Sequence, residues 1–105
     1  MIIQPTLDFV RDLKKLKKKF PSINKDLNDL KIALLNNPKM GIALGQDCYK
    51  IRMAIGSKGK GKSGGARVIT FLKIENDIIY LLTIYDKSQT ENISDNVIDD
   101  LILNI

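Results

Sequence analysis

The apolar residues of this chain change their spacing once, and that change limits what it can fold into. From Leu7 to Leu34 they recur every three or four positions, the repeat of a helix face. Leu7, Val10, Leu13, Leu16 and Phe20 form one stripe, and Ile23, Leu27, Leu30 and Leu34 form a second. Thr6 is placed to cap the first helix, with Asp8 in its first turn, and Pro21 ends it. Ser22 is placed to cap the second, which closes at Asn36-Asn37-Pro38. So short a connection makes the pair an antiparallel hairpin.

From Cys48 onward the apolar residues alternate or run together, as in strands. Residues 48–55 (CYKIRMAI) put Tyr49, Ile51, Met53 and Ile55 on one face and Cys48, Lys50, Arg52 and Ala54 on the other. Residues 66–74 (ARVITFLKI) and 78–86 (IIYLLTIYD) are rich in β-branched and aromatic residues, with a tight hairpin expected at Asn76-Asp77. Residues 1–4 read as a short strand. Ser94 is placed to cap a short last helix with Val97, Ile98, Leu101 and Ile102 apolar. The expected fold class is α+β: an antiparallel sheet packed on an N-terminal helical hairpin, with a short C-terminal helix. The other sheet face is then open to carry a site. A chain of 105 residues suits one domain, 1–105, and shows neither repeat nor linker.

Composition narrows the chemistry. There is no histidine and a single cysteine, Cys48, so zinc sites and Cys-His or Ser-His machinery lack their ligands or base. Cys48 reads as an inert small side chain, because a reactive thiol needs an activating neighbour. No apolar run is long enough for a bilayer, and Gln4-Pro5 interrupts Met1-Ile2-Ile3, so no signal peptide or membrane partner is expected and cytoplasm is the default. Catalysis would have to run on Lys, Arg, Tyr, carboxylates or a bound metal.

The net charge is +5, but its distribution is more informative. The stretch from Cys48 to Lys73 carries Lys50, Arg52, Lys58, Lys60, Lys62, Arg67 and Lys73 and no acidic residue. Such a local excess favours nucleic acid. If the strand registers agree, Lys50, Arg52, Arg67, Tyr85 and Lys87 converge on one surface, with Thr83 on the same face as Tyr85. A solvated sheet face would instead carry mixed charge. Lys14, Lys15, Lys17, Lys18 and Lys19, with Arg11, decorate the first helix. A run of this kind is ordinarily a solvated helix face, and its alternative use is to grip RNA phosphates.

Gly56-Ser57-Lys58-Gly59-Lys60-Gly61-Lys62-Ser63 fits the phosphate-loop expression G-x-x-x-x-G-K-[ST] at every position. A true phosphate loop opens a helix, whose backbone amides hold the phosphates. Here Gly64-Gly65 and a strand-forming run follow instead, so no nucleotide cofactor is expected. The segment reads better as a flexible basic loop.

Residues 48–93 resemble the HigB-like branch of the RelE/ParE superfamily of toxins. The telling parts are Tyr49-Lys50-Ile51-Arg52, the block from Gly59 to Ile69 with its Gly-x-Arg step at Arg67, and Leu81-Leu82-Thr83-Ile84-Tyr85-Asp86-Lys87-Ser88. Upstream, Leu13-Lys14-Lys15-Leu16 and Phe20-Pro21-Ser22-Ile23 match the family's helical hairpin. The resemblance implies functional roles for Lys50, Arg52, Arg67 and Lys87, and places Lys60 and Lys62 in a loop special to this branch. It implies a type II toxin: a metal-independent endoribonuclease that cuts mRNA in the ribosomal A site and is silenced by a cognate antitoxin, expected to be a helix-turn-helix protein. The 2′-hydroxyl would attack the adjacent phosphate and leave a 2′,3′-cyclic phosphate and a 5′-hydroxyl. Crowding by like charges favours a neutral lysine as base, at Lys50 or Lys62. Arg67 suits the phosphorane oxygens, and Lys87 or Tyr85 the leaving oxygen. Lys58, Lys60, Lys14, Lys15 and Lys18 would hold ribosomal RNA or message. Two other readings stay open: a ParE-like DNA gyrase inhibitor, and a non-catalytic basic RNA-binding or ribosome-binding module.

Overall fold

The computed structural model describes every residue except Glu91. Among these residues the elements are β1 (Ile2–Pro5), α1 (Leu7–Lys17), α2 (Ile23–Asn36), β2 (Ile42–Gly45), β3 (Cys48–Met53), β4 (Ala66–Lys73), β5 (Ile78–Asp86) and α3 (Asp95–Leu103). None of these helices is long and apolar enough to cross a membrane. The strands form one sheet in the order β1-β5-β4-β3-β2. β2 to β5 are an antiparallel meander, while β1 joins β5 in parallel, Ile2 opposite Ile78 and Pro5 opposite Leu81. The α+β fold is as expected, with that one parallel edge as its departure. The reason is topological. β1 runs straight into α1, the hairpin carries the chain to the far edge, and three reversals bring β5 back beside β1 pointing the same way.

Thr6 joins strand to helix. Its hydroxyl accepts a hydrogen bond from Phe9 N at 3.1 Å and donates to Leu81 O at 3.1 Å, so one side chain caps α1 and fastens it to β5. Leu13, Leu16 and Phe20 of the expected stripe reach the core, but the stripe starts at Phe9 and not at Leu7: Phe9 is 1% exposed and Leu7 87%. Both stripes have helical spacing, so periodicity alone does not choose between them. Ser22 makes no cap bond for α2. Its hydroxyl donates instead to Asp26 Oδ2 at 2.8 Å and accepts from Ser57 N at 2.8 Å.

The main core lies between the helical hairpin and one sheet face, where Phe9, Leu16, Ile23, Leu27 and Leu34 meet Ile51, Val68, Ile79 and Leu81. The opposite face is only partly open. Ile98 and Leu101 of α3 cover Cys48, Ile69, Leu82 and Tyr85 there. Val97 stays exposed. A bulge in β5 sets which residues reach this second face. Ile69 pairs with Thr83 but Thr70 with Leu81, which makes Leu82 the extra residue. Thr83, opposite Ile69, stays on the face of Tyr85, opposite Arg67, and both line a groove with Asp12, to whose Oδ2 the Thr83 hydroxyl donates at 2.7 Å. The expectation that Thr83 and Tyr85 share a face agrees with this register, since their partners Ile69 and Arg67 alternate on one side of β4.

The strand β2 has no counterpart in the sequence reading. Gly45 pairs with Cys48, leaving Gln46 and Asp47 as a two-residue turn with φ of 55° and 61°. Two successive left-handed residues make the mirror-image turn that suits hairpin twist, and Asn-Gly is its preferred sequence. A left-handed conformation costs an ordinary residue about 1–2 kcal/mol, with Asp cheaper than Gln. Replacing the pair together, Gln46→Asn with Asp47→Gly, should stabilise the protein by about 1 kcal/mol. Urea unfolding should show a higher midpoint at an unchanged slope. A lower midpoint would mean that Gln46 or Asp47 makes a compensating interaction.

Candidate nucleic-acid interface

Alternation and register bring the expected cations together. Arg52, Arg67 and Tyr85 lie directly opposite one another across β3, β4 and β5, and Lys50 is in register with Ile69 one row along. An open cleft of about 220 Å3 results, lined by Lys50, Arg52, Arg67 and Lys87 with Ile42 and Asn92. Among the described residues no carboxylate lines it. Four cations around so small a space repel one another, and a polyanion relieves that repulsion. Asn92 was not foreseen. Its Oδ1 accepts from Lys50 Nζ at 3.3 Å and so helps to place that amine. A lone Asn past a strand carries no sequence signal for such a role.

Arg67 sits deeper than its neighbours, at 5% exposure. Its Nη1 donates to Lys62 O at 2.9 Å and to Ala66 O at 3.1 Å, and its Nη2 to Ser63 O at 3.1 Å. The guanidinium therefore holds the basic loop against the end of β4 while contributing charge to the cleft. Tyr85 does not line the cleft. Its hydroxyl is buried without a hydrogen-bond partner, and burial raises its pKa although the Arg67 charge pulls the other way. The phenol is neutral at neutral pH.

The basic loop is tied at both ends, contrary to the flexible segment expected. Gly56 N donates to Asp26 Oδ2 at 3.0 Å and Ser57 N to Ser22 Oγ, which fastens the entry to α2. Lys87 N donates to Gly65 O at 3.1 Å, which fastens the exit to the end of β5. Gly65 lies against Met53 O so closely that a Cβ would collide with it. The segment leads into β4 and opens no helix, so it lacks the geometry of a phosphate loop.

Lys58 belongs to this anchoring, not to a free binding surface. Its Nζ is 2.7 Å from Asp86 Oδ1 and 3.3 Å from Ser88 Oγ, and it lies 5.7 Å from the centre of the Phe20 ring. The two charged side chains are 12% and 5% exposed. Burial alone would raise the Asp86 pKa, but hydrogen bonds from Lys58 and from the Ser88 amide and hydroxyl, with the Lys58 charge, hold it below its ordinary value. Glu75 and Asp77 come between the basic stretch and Asp86, so nothing in the order of charges marked Asp86 as the partner. Lys60 and Lys62 remain exposed beside the cleft.

Lys14, Lys15 and Lys18 are exposed along α1 with Lys17 and Lys19. Basic residues in a last turn also complement the helix dipole, which gives them a structural reason to be there. Arg11 is paired with Asp8 at 3.0 Å and Asp12 at 3.5 Å. Cys48 is buried, and its thiol is pushed up to about 11 by burial first and then by Asp47 and Asp99. It stays protonated and unreactive at neutral pH.

A family model described as the RelE toxin of the RelE/RelB toxin-antitoxin system matches residues 10–101. The fold is similar to a double arginine-to-alanine mutant of the Escherichia coli toxin RelE in the free state, with TM-score 0.64, 19% identity, and coverage of 99% of this chain and 96% of that one. The same mutant in complex with a peptide of the antitoxin RelB matches at TM-score 0.59 and 17% identity, covering 94% and 90%. The isolated Escherichia coli RelE toxin matches at TM-score 0.58 and 16% identity, covering 99% and 98%.

The Lys58–Asp86 pair makes a prediction about acid. Removing one partner of a buried pair leaves the other uncompensated, so Lys58→Met should cost about 3 kcal/mol at pH 7. In the native protein the folded Asp86 pKa is depressed. Its contribution is therefore complete above the unfolded value near pH 4 and is lost as pH falls below that. In Lys58→Met the Ser88 bonds remain but the Lys58 bond and charge are lost, so burial weighs more and the protonated acid is favoured relative to the native protein. The stability gap between native protein and variant, measured by urea unfolding, should narrow from pH 7 to pH 3.5. A gap that stays constant with pH would remove Asp86 ionisation from the account.

Proposed function

The chain belongs to the RelE toxin family, and on that premise we propose that it is the toxin of a type II toxin–antitoxin system and acts as a ribosome-dependent endoribonuclease on mRNA. The cleft of Lys50, Arg52, Arg67 and Lys87, with no carboxylate among the described residues that line it, carries this reading. The reaction needs a base for the ribose 2′-hydroxyl, positive charge on the phosphorane oxygens and an acid for the departing 5′-oxygen. Lys50, placed by Asn92, or Lys62 on the loop takes the proton. Arg52 is exposed and forked, and suits phosphorane oxygens at two points. Arg67 adds its fixed charge beneath them. Lys87 protonates the leaving oxygen. Tyr85, with its hydroxyl buried, ends the row beside Arg67 and is a weaker choice of acid.

No metal is required by this set of cations. An open cleft with no deep pocket also gives little positioning of its own, which favours reaction in the A site, where ribosome and message supply it. Lys14, Lys15, Lys18 and Lys60 would hold ribosomal RNA, and that places the activity in the cytoplasm. The partner that silences it is an antitoxin whose acidic or site-covering segment neutralises the cleft. A helix-turn-helix protein encoded next to the toxin would fit.

Induction in bacteria should stop protein synthesis before DNA synthesis. DNA arrest with intact messages would favour a gyrase-directed toxin, and an absence of growth arrest would favour a passive RNA-binding module. In single-turnover cleavage on stalled ribosomes, Arg52→Ala should lose roughly a hundredfold in rate, the scale of one preorganised charge donor. Its binding in a ribosome pelleting assay should change far less. Lys15→Ala with Lys18→Ala should do the reverse, weakening binding and its salt dependence. EDTA added after binding should leave the rate unchanged. An Arg52→Ala variant that cuts at the native rate would sink the proposed cleft.

A further inference from the structure

The basic loop walls a second open space besides the cleft. It measures about 430 Å3 and is lined by Lys58, Lys60, Gly64, Lys87 and Ser88. Of the described residues, only Lys87 lines both this space and the cleft, so the two adjoin there. Among the described residues no carboxylate lines either one.

Its cations are placed by specific contacts. Lys58 Nζ is fixed by Asp86 Oδ1 at 2.7 Å and Ser88 Oγ at 3.3 Å, and an ammonium has a third N–H beyond those two bonds. Asp86 Oδ1 also accepts from the Ser88 amide at 3.0 Å and hydroxyl at 2.9 Å, so this acid is occupied within the wall. The stem of Lys60 lies against Gly64. A Cβ on Gly64 would come within 2.7 Å of Lys60 Cβ and 3.4 Å of its Cδ, so the bare glycine leaves Lys60 its place. Lys87 N donates to Gly65 O at 3.1 Å, which draws the end of β5 against the loop. Among the described residues, the amides of residues 60–64 donate to no carbonyl, so the loop keeps backbone donors beside its amines. Amines and amides with no acid facing them suit an oxyanion. A second anion space that adjoins the cleft at one shared lysine suits a second phosphate of the same strand.

We propose that this space holds a second phosphate of the message, the one that follows the nucleotide on the 3′ side of the break; the proposal rests on the nuclease reading above. Polarity follows from Lys87. In that reading Lys87 protonates the departing 5′-oxygen, which belongs to the nucleotide downstream of the break. The strand runs on from that nucleotide to its own 3′-phosphate. An anion space that adjoins the cleft at Lys87 therefore takes the downstream phosphate, not the upstream one. Lys50, on the side of the attacking 2′-hydroxyl, lines the cleft alone. Within this arrangement Lys60 moves from ribosomal RNA to the message. Gripping the strand beyond the leaving oxygen holds that oxygen in line with the attack, and such positioning contributes to rate.

Two measurements test this on the intact protein. The first is an NMR titration with inorganic tripolyphosphate, which needs no cleavage. The amides of Lys60, Gly64 and Ser88 should shift, and Lys60→Ala should weaken the binding seen at Gly64 by about tenfold, the scale of one hydrogen bond to a charged group. The second is single-turnover cleavage, at subsaturating toxin, of a ribosome-bound message carrying one neutral methylphosphonate. At the phosphate after the downstream nucleotide, this change should slow cutting by about tenfold, and Lys60→Ala should then add no further loss. At the phosphate before the upstream nucleotide, it should leave the whole Lys60→Ala effect in place. An equal Lys60→Ala loss on both messages, or tripolyphosphate shifts confined to cleft residues, would overturn the site. If the protein fails to cut while tripolyphosphate gives the Lys60-dependent shifts, the nuclease reading falls and the site stands, with a free phosphate chain as its ligand. Cutting that is indifferent to Lys60→Ala and to the downstream methylphosphonate leaves the nuclease reading and removes the site.

Discussion

A guanidinium buried on the middle strand of the sheet is the constraint to which the site answers. Arg67 lies on β4, at 5% exposure, with β3 and β5 on either side. An ionised group there needs partners, because burial without them costs several kcal/mol. The carbonyls of Lys62, Ser63 and Ala66 provide them. The chain before β4 must therefore fold back over the arginine. That return explains why a glycine-rich segment precedes the strand, and why Gly65, pressed against Met53 O, has no room for a side chain. The same contact sets the loop beside Arg52 and brings Lys62 to the rim of the cavity between α2 and the end of β3.

The other ties act on the same loop from outside. Asp26 and Ser22 hold its first amides, and the Lys58–Asp86 pair joins it to β5. A loop of this composition in isolation would be mobile, since glycine leaves its backbone almost unrestricted. Here its glycines give the chain its path, with φ of 70° at Gly59 and 63° at Gly61, while bonds to three separate elements limit its motion. Cations at Lys60 and Lys62 can then occupy fixed positions without being buried. Sequence similarity to a phosphate loop arises from the same needs, close backbone approach and positive charge, met without a helix terminus.

The parts of the fold legible in the sequence were those written in periodicity. Two-residue alternation gave β3, β4 and β5 and put Lys50 and Arg52 on the face that also carries Arg67. Helical spacing gave α1, α2 and α3. What escaped was decided by interactions between distant segments. Leu7 and Phe9 both start acceptable stripes, and the Thr6 hydroxyl bonding Leu81 fixes α1 on the sheet. The bulge at Leu82 shifts the register between Leu81 and Thr83, and no residue type announces it. β2 ends at Gly45-Gln46-Asp47, a turn sequence that does not advertise its left-handed geometry. Lys58 is indistinguishable from Lys60 and Lys62 as a letter in a basic loop. Only the position of Asp86, twenty-eight residues on, turns it from a binding cation into an anchor.

Anchoring and binding make opposite demands on like charges, and this small sheet separates them by depth. Charges with an internal partner lie deep: Arg67 with its carbonyls, Lys58 with Asp86. Of the charges turned toward the cleft, Arg52 is exposed and Lys50 and Lys87 are half-buried, so each keeps part of its hydration. Solvation moderates their mutual repulsion, so the empty cleft is tolerable, and each retains donors for a ligand. A carboxylate in the cleft would relieve the repulsion permanently but would compete with any phosphate for the same donors. The acids that the fold does use sit one layer away, on α2 and at the end of β5. There they hold the loop without neutralising the face it frames. Stabilisation of the empty cleft is left to whatever anion binds it, and binding of substrate or of an inhibitory partner then adds to the stability of the fold by mass action.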